Sequence, residues 1–154
     1  MMSKISLAML FTLLSLFQAG VALALRCDET EPRFSRYGLV WTLKKEGFSN
    51  ALDAYVEFER LGNIKVNEQT CFTFYHYMRE FPAASNVHYS TRLLVFKNWN
   101  YVGMYGTDGD TKLTVEGNAI LISGGGGPAE KIVFDKDKPP REIDVNGISR
   151  TLFK

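Results

Sequence analysis

Few residues in this chain have the types and spacing that chemistry needs. His76 and His88 are the only histidines. Both fall in alternating runs that read as strands, so a sheet could bring them together. A zinc site takes three or four protein ligands, and Cys71, a further donor, has another use described below. The pair therefore reads as half-buried sheet histidines. Asp108-Gly109-Asp110 begins like a calcium loop. Loops of the EF-hand kind continue with oxygen ligands at fixed spacing and end in a glutamate, and residues 111–115 supply no carboxylate. Asp-Gly between two alternating runs, 101–105 and 112–115, reads instead as a hairpin turn.

The four glycines at 124–127 are followed by Pro128 and Glu130. A phosphate-binding loop would need a Lys-Ser/Thr pair and a helix there. This stretch reads as a flexible loop, or as a mobile rim for a partner. Nucleophilic catalysis needs a nucleophile, a base and an orienting group that converge. No Gly-x-Ser-x-Gly occurs, Ser90 near His88 is only strand proximity, and nothing singles out one carboxylate pair. The expectation is a protein without catalytic, cofactor-binding or metal-binding residues, and not an enzyme.

The two cysteines carry more information. Residues 1–24 have the pattern of a cleaved secretory signal peptide: Lys4 as the positive region, an apolar run over 7–17, and Ala22-Leu23-Ala24 as the small-residue cleavage site. The run is shorter than the ~20 apolar residues that span a bilayer, and no later stretch is long enough. Export implies an oxidising compartment, where Cys27 and Cys71 read as one disulfide. Arg26 just before Cys27 argues against lipidation. No Asn-x-Ser/Thr sequon is present, which points towards a periplasmic or secreted protein rather than a glycosylated one.

Residues 25–154 then form one domain of about 130 residues. Lys4 is the only charge in the leader, so the remaining chain is formally balanced. With no basic stripe and no recognition motif, nucleic acid is not an expected partner.

These residues must be held by strands. The strongest run is 70–78, where Phe72, Phe74, His76 and Met78 alternate with Cys71, Thr73, Tyr75 and Tyr77. Large side chains on both faces imply a central strand covered on both sides. Residues 37–43 read as a first strand, with Leu39, Trp41 and Leu43 on one face, ended by a turn at 44–47. Residues 50–61 read two ways. Asn50 as a cap with Ala51, Ala54, Tyr55, Phe58 and Leu61 gives a helix stripe. Alternation of Ala54, Val56 and Phe58 gives a strand, which the neighbouring strands favour. A turn at Gly62-Asn63 precedes a short strand at 64–66. Further strands are expected at 87–96, 101–105, 112–115, 119–122, 131–134, 142–145 and 148–152. Lys97 to Asn100 form a turn carrying an exposed-looking indole, and Asn146-Gly147 a hairpin turn that demands positive φ. The fold class is all-β: a small Ig-like sandwich or a barrel of about 7–9 antiparallel strands, with one short helix possible at 50–61.

Aromatic residues crowd the middle of the chain, from Phe72 to Tyr105, in greater number than two sheet faces can bury. Trp and Tyr at turns anchor interfaces. Trp99 and Tyr101, with Asp108 and Asp110 at the next turn, are the expected partner-binding residues. The leading expectation is an exported, disulfide-stapled β-domain that binds a protein, in the manner of a periplasmic inhibitor or immunity protein. Alternatives are a carrier of an apolar small ligand lined by Phe72, Phe74 and Tyr89, an envelope hydrolase with a dispersed site, and a structural subunit of an envelope assembly.

Overall fold

The computed structural model describes residues 27, 35–48, 56–82, 87–124 and 128–154. The expected leader, residues 28–34, and residues 50–55 of the ambiguous segment lie outside the described residues. Among those described, one helix and nine strands follow in order. The helix is α1 (Arg36–Lys45). The strands are β1 (Val56–Asn67), β2 (Thr70–Pro82), β3 (Val87–Lys97), β4 (Asn100–Thr107), β5 (Lys112–Glu116), β6 (Ala119–Ser123), β7 (Glu130–Val133), β8 (Glu142–Val145) and β9 (Ile148–Thr151).

The strand at 70–78 is central, as its two-faced pattern requires. β2 lies between β1 and β3 in an antiparallel meander of order β1-β2-β3-β4. Its two faces serve two cores. Phe72 and Phe74 join Ile64, Leu93, Val95 and Tyr105 against a second layer. That layer consists of the three-stranded sheet β5-β6-β7 and the hairpin β8-β9, which contribute Ile120, Ile122, Ile132, Phe134 and Val145. Tyr75 and Tyr77 face the other way, with Leu94, Phe96, Tyr101 and Met104, and meet Leu39 and Leu43 of α1. The architecture is an all-β sandwich of three antiparallel sheets, with one helix laid across its outer face.

The strands also close on themselves. β5 approaches β1, β7 lies beside β8, and β9 lies beside β4. The closure at β4 is made by the chain after β9. Met104 N–H donates to Phe153 O at 2.8 Å, and Phe153 N–H donates to Met104 O at 3.1 Å. Gly103 permits this approach: its φ is +151°, and a Cβ there would lie 2.9 Å from Phe153 O. A side chain at this position would push the terminal segment off the sheet.

Three expectations need correction. Residues 37–43 are helical rather than extended. Ser35 caps the helix, its Oγ accepting from Gly38 N–H at 3.2 Å. Leu39 and Leu43, one turn apart, are fully buried while Trp41 is 66 % exposed, so Trp41 does not share their face. Of the segment 50–61 that reads two ways, residues 56–61 belong to β1, in keeping with the strand reading. Gly62-Asn63 is not a turn: β1 runs through it with a bulge between Arg60 and Gly62. Asp108-Gly109 is not a hairpin either, since β4 pairs with β3 and β5 pairs with β6. It is the corner at which the chain leaves one sheet for the other.

The turn expected at 44–47 is shorter, since Lys44 and Lys45 still belong to α1, whereas the Asn146-Gly147 turn agrees with expectation. Asn146 and Gly147 have φ of 54° and 75°, the conformation of a two-residue hairpin with both central residues left-handed. The first glycine of the low-complexity run has a packing role. Gly124 has φ +134°, and a Cβ there would lie 2.5 Å from Asp110 O. The β4–β5 corner and the end of β6 therefore touch backbone to backbone. Residues 125–127 lie outside the described residues.

Candidate functional site

The disulfide expected from the sequence is formed: Cys27 and Cys71 are bonded, with Cα atoms 5.8 Å apart and a sequence separation of 44. It marks a non-cytoplasmic, oxidising location. No helix among the described residues is long and apolar enough to cross a membrane. The bond also fixes the end of the sheet at which the β1–β2 and β3–β4 turns meet. Asn63 Nδ2 donates to Cys27 O. Cys71 N–H donates to Asn98 Oδ1 at 2.8 Å, and Asn98 N–H donates to Cys71 O at 2.9 Å. Asn98 Nδ2 donates to Gln69 O at 2.7 Å. Every polar group of Asn98 named here ties the β3–β4 turn to the turn beside it.

This clamp holds Trp99 in an unusual backbone state. Asn98 and Trp99 are the two central residues of the turn, with φ of 48° and 70°. Asn is at home there, whereas the second position favours glycine. A bulky residue in left-handed conformation stores strain of order 1–3 kcal/mol, and such strain persists only where the surroundings over-determine it. The turn thus carries an indole, half-buried rather than exposed as expected, where local chemistry would choose no side chain at all.

Opposite Trp99 stands the outer face of α1. Tyr37 and Trp41, one helical turn apart, are 87 % and 66 % exposed. Lys45 Nζ lies 5.6 Å from the centre of the Trp41 ring. Between helix and turn runs a groove of about 650 Å³, lined by Tyr37, Trp41, Lys45, Trp99, Tyr101 and Lys154 among others. Both tryptophans of the chain line it. Lys154 Nζ and Glu46 Oε2, 3.1 Å apart, close one side. Tyr101 differs from the indoles. It is 7 % exposed, and its ring packs edge-on against Phe96 with centroids 5.6 Å apart. Its buried Oη has no hydrogen-bond partner among the described residues. Burial, with the nearby Glu46 carboxylate adding to it, pushes its hydroxyl far above the usual tyrosine range. Tyr101 remains a neutral phenol on the groove's inner wall, packed into the core beneath α1.

Comparison with family models, with curated proteins and with solved structures finds no match.

The other expected binding residues lie elsewhere. Asp108 and Asp110 sit beyond the far end of β4 from Trp99, roughly 30 Å away at the usual rise per residue. The structure does not gather the four into one patch. Asp108 is engaged internally. Its Oδ1 accepts from Arg150 at 2.8 Å and its Oδ2 from Asn146 at 3.1 Å. These bonds pin the β4–β5 corner to the β8–β9 hairpin across about forty residues of sequence. Asp108→Ala leaves both donors without their acceptor, and a loss of about 1–2 kcal/mol is expected. A urea midpoint that falls at unchanged slope would report it.

The histidines are separated as well. His76 is opposite Leu93, and His88 opposite Phe81, five positions along β3. Burial pushes the His76 imidazole below its usual range, against the pull of Glu59 at 3.9 Å. The His88 side chain lies outside the described part. Among the described residues no three His, Cys, Asp or Glu side chains converge as metal ligands would. Tyr89 is 51 % exposed and lies near Gly109 at the far end of the sheet, apart from the buried Phe72 and Phe74. The site residues that sequence reasoning missed are Tyr37 and Trp41. Their i, i+4 spacing, offset from Leu39 and Leu43, was the available signal.

Proposed function

We infer that this protein is a binding module for another protein, acting outside the cytoplasm, with the groove between α1 and the β3–β4 turn as its contact surface. The observation that carries this reading is Trp99. An indole is held in a strained backbone state, at the lip of a groove whose facing wall offers Tyr37 and Trp41. Aromatic residues seated in pockets dominate the energetics of protein interfaces, Trp above all. Strain retained at a surface position is a reason to look for function there. The groove's charged members, Lys45, Glu46 and Lys154, are suited to pairing. In the periplasm or the extracellular space, the most economical role for such a domain is that of an inhibitor or immunity protein that blocks an enzyme or toxin on arrival.

Trp99→Gly tests the reading, because stability and binding should move in opposite directions. Relief of the left-handed strain should raise the unfolding free energy by about 0.5–1 kcal/mol. Loss of the anchor should weaken capture of the partner from envelope or secreted fractions by tenfold or more, the scale of an interface hot spot. Equal capture by the variant and the native chain would sink the assignment of this site.

A further inference from the structure

We propose that the occupant of this groove is an extended, acidic segment of the partner protein. The inference rests on the protein-binding reading and names the chemistry of what is bound. The chain as a whole is nearly balanced, at +1, but the groove's surroundings are not. α1 contains no aspartate or glutamate, and its last turn carries Lys44 and Lys45. On a helical wheel, Lys44 and Lys45 flank the stripe made by Tyr37 and Trp41. Lys154 is at the same end. The one acid lining the groove, Glu46, is already held by Lys154 at 3.1 Å. Lys45 is left over the Trp41 ring at 5.6 Å, where it can meet a carboxylate lying beside the indole.

Shape selects the form of the ligand. The surface is concave, with α1 as one wall and the Asn98-Trp99 turn as the other, so it fits a narrow chain better than a flat bilayer. Aromatic side chains on both α1 and the turn suit an extended segment with proline or other apolar residues between its charges, since such a chain is ordered before it binds. Tyr101 adds a second observation. It is more than nine-tenths buried, lines the groove, and keeps a hydroxyl with no hydrogen-bond partner among the described residues. A small yielding of the rim would give that hydroxyl a backbone carbonyl of the bound segment to donate to.

The test uses the two tryptophans as reporters, since both line the groove. Short synthetic peptides of alternating glutamate and proline, and matched peptides of lysine and proline, are titrated into the disulfide-bonded protein while indole emission is followed. The expected result is a saturable change with the acidic peptide alone. Added salt should weaken it, because exposed pairs are screened beyond about 8 Å at physiological ionic strength. The double variant Lys44→Gln, Lys45→Gln, shown by circular dichroism to keep its fold, should lower the affinity tenfold or more. An equal response to both peptides, or none to either, overturns the proposal. So does a response to vesicles of anionic lipid that neither peptide reproduces, which would make the surface a membrane contact. Partner capture separates this failure from that of the broader reading. If the double variant captures the partner as well as the native chain while Trp99→Gly does not, the groove binds protein and the acidic chemistry is wrong. If neither variant alters capture, the groove is not the site.

Discussion

Reducing the Cys27–Cys71 bond is expected to lower the unfolding free energy by about 4 kcal/mol, the chain-entropy cost of freeing a loop of this length. The bond joins positions 44 residues apart and is the described link between the chain ahead of α1 and the central strand. Against the roughly 5–15 kcal/mol by which domains are stable, such a loss leaves little margin. Urea titrations of the oxidised protein and of the Cys27→Ser, Cys71→Ser variant would measure it. A difference under about 1 kcal/mol would mean that burial alone holds the N-terminal segment, contrary to the entropic argument.

The same experiment has a local consequence. Cys71 exchanges hydrogen bonds with Asn98 through both its N–H and its C=O, and Asn98 is half of the turn that holds Trp99 left-handed. Loosening Cys71 loosens the clamp, and strain at Trp99 persists only while the clamp lasts. Tryptophan emission should therefore change on reduction at denaturant concentrations where the global fold is still intact. If emission changes only with global unfolding, the disulfide and the turn are mechanically independent.

What the sequence made legible follows from how local each determinant is. β2 was readable because its two faces carry large residues in strict alternation, and that pattern admits one structure. Asn146-Gly147 was readable because the turn chemistry lies in two adjacent residues. α1 was not readable as a helix. Leu39, Trp41 and Leu43 alternate as a strand would, yet Leu39 and Leu43 are also one helical turn apart, and only the exposure of Trp41 decides between the two. The decisive signals lay at the ends: Ser35 as a cap, and Lys44-Lys45 followed by Gly47 at φ 89°. The Asp108-Gly109 corner was misread for a different reason. Its direction is set by Arg150 and Asn146, which reach back to Asp108 from about forty residues away, and no local rule contains that information.

The site was half legible on the same grounds. Trp99 stood out because an indole at a turn is anomalous wherever the turn lies. Tyr101 was overvalued, since its place two residues on puts it on the face that α1 covers. Tyr37 and Trp41 were lost with the helix itself. Local chemistry revealed one wall of the groove, and tertiary packing supplied the other.

Phe74→Ala should cost about 3–5 kcal/mol, the usual range for deleting a fully buried phenyl ring. The Phe74 ring lies 4.7 Å from Phe134 and 6.3 Å from Phe72, between the four-stranded sheet and the second layer. None of the three rings is more than 1 % exposed, and they meet one another in the core between the layers. Removing one ring should open an apolar cavity that stays dry and admits a benzene-sized probe. The variant's melting temperature should then rise with added benzene, by ligand linkage, while that of the native protein does not. Should the alanine variant fail to fold, Phe74→Leu offers a milder version, with a cost of about 1–2 kcal/mol. A native protein that already takes up benzene, together with a small loss for either variant, would show an interior with room to spare and put the ligand-carrier reading first. A large loss with cavity binding only in the variant would leave the outer groove, with its two indoles, as the surface through which this domain acts.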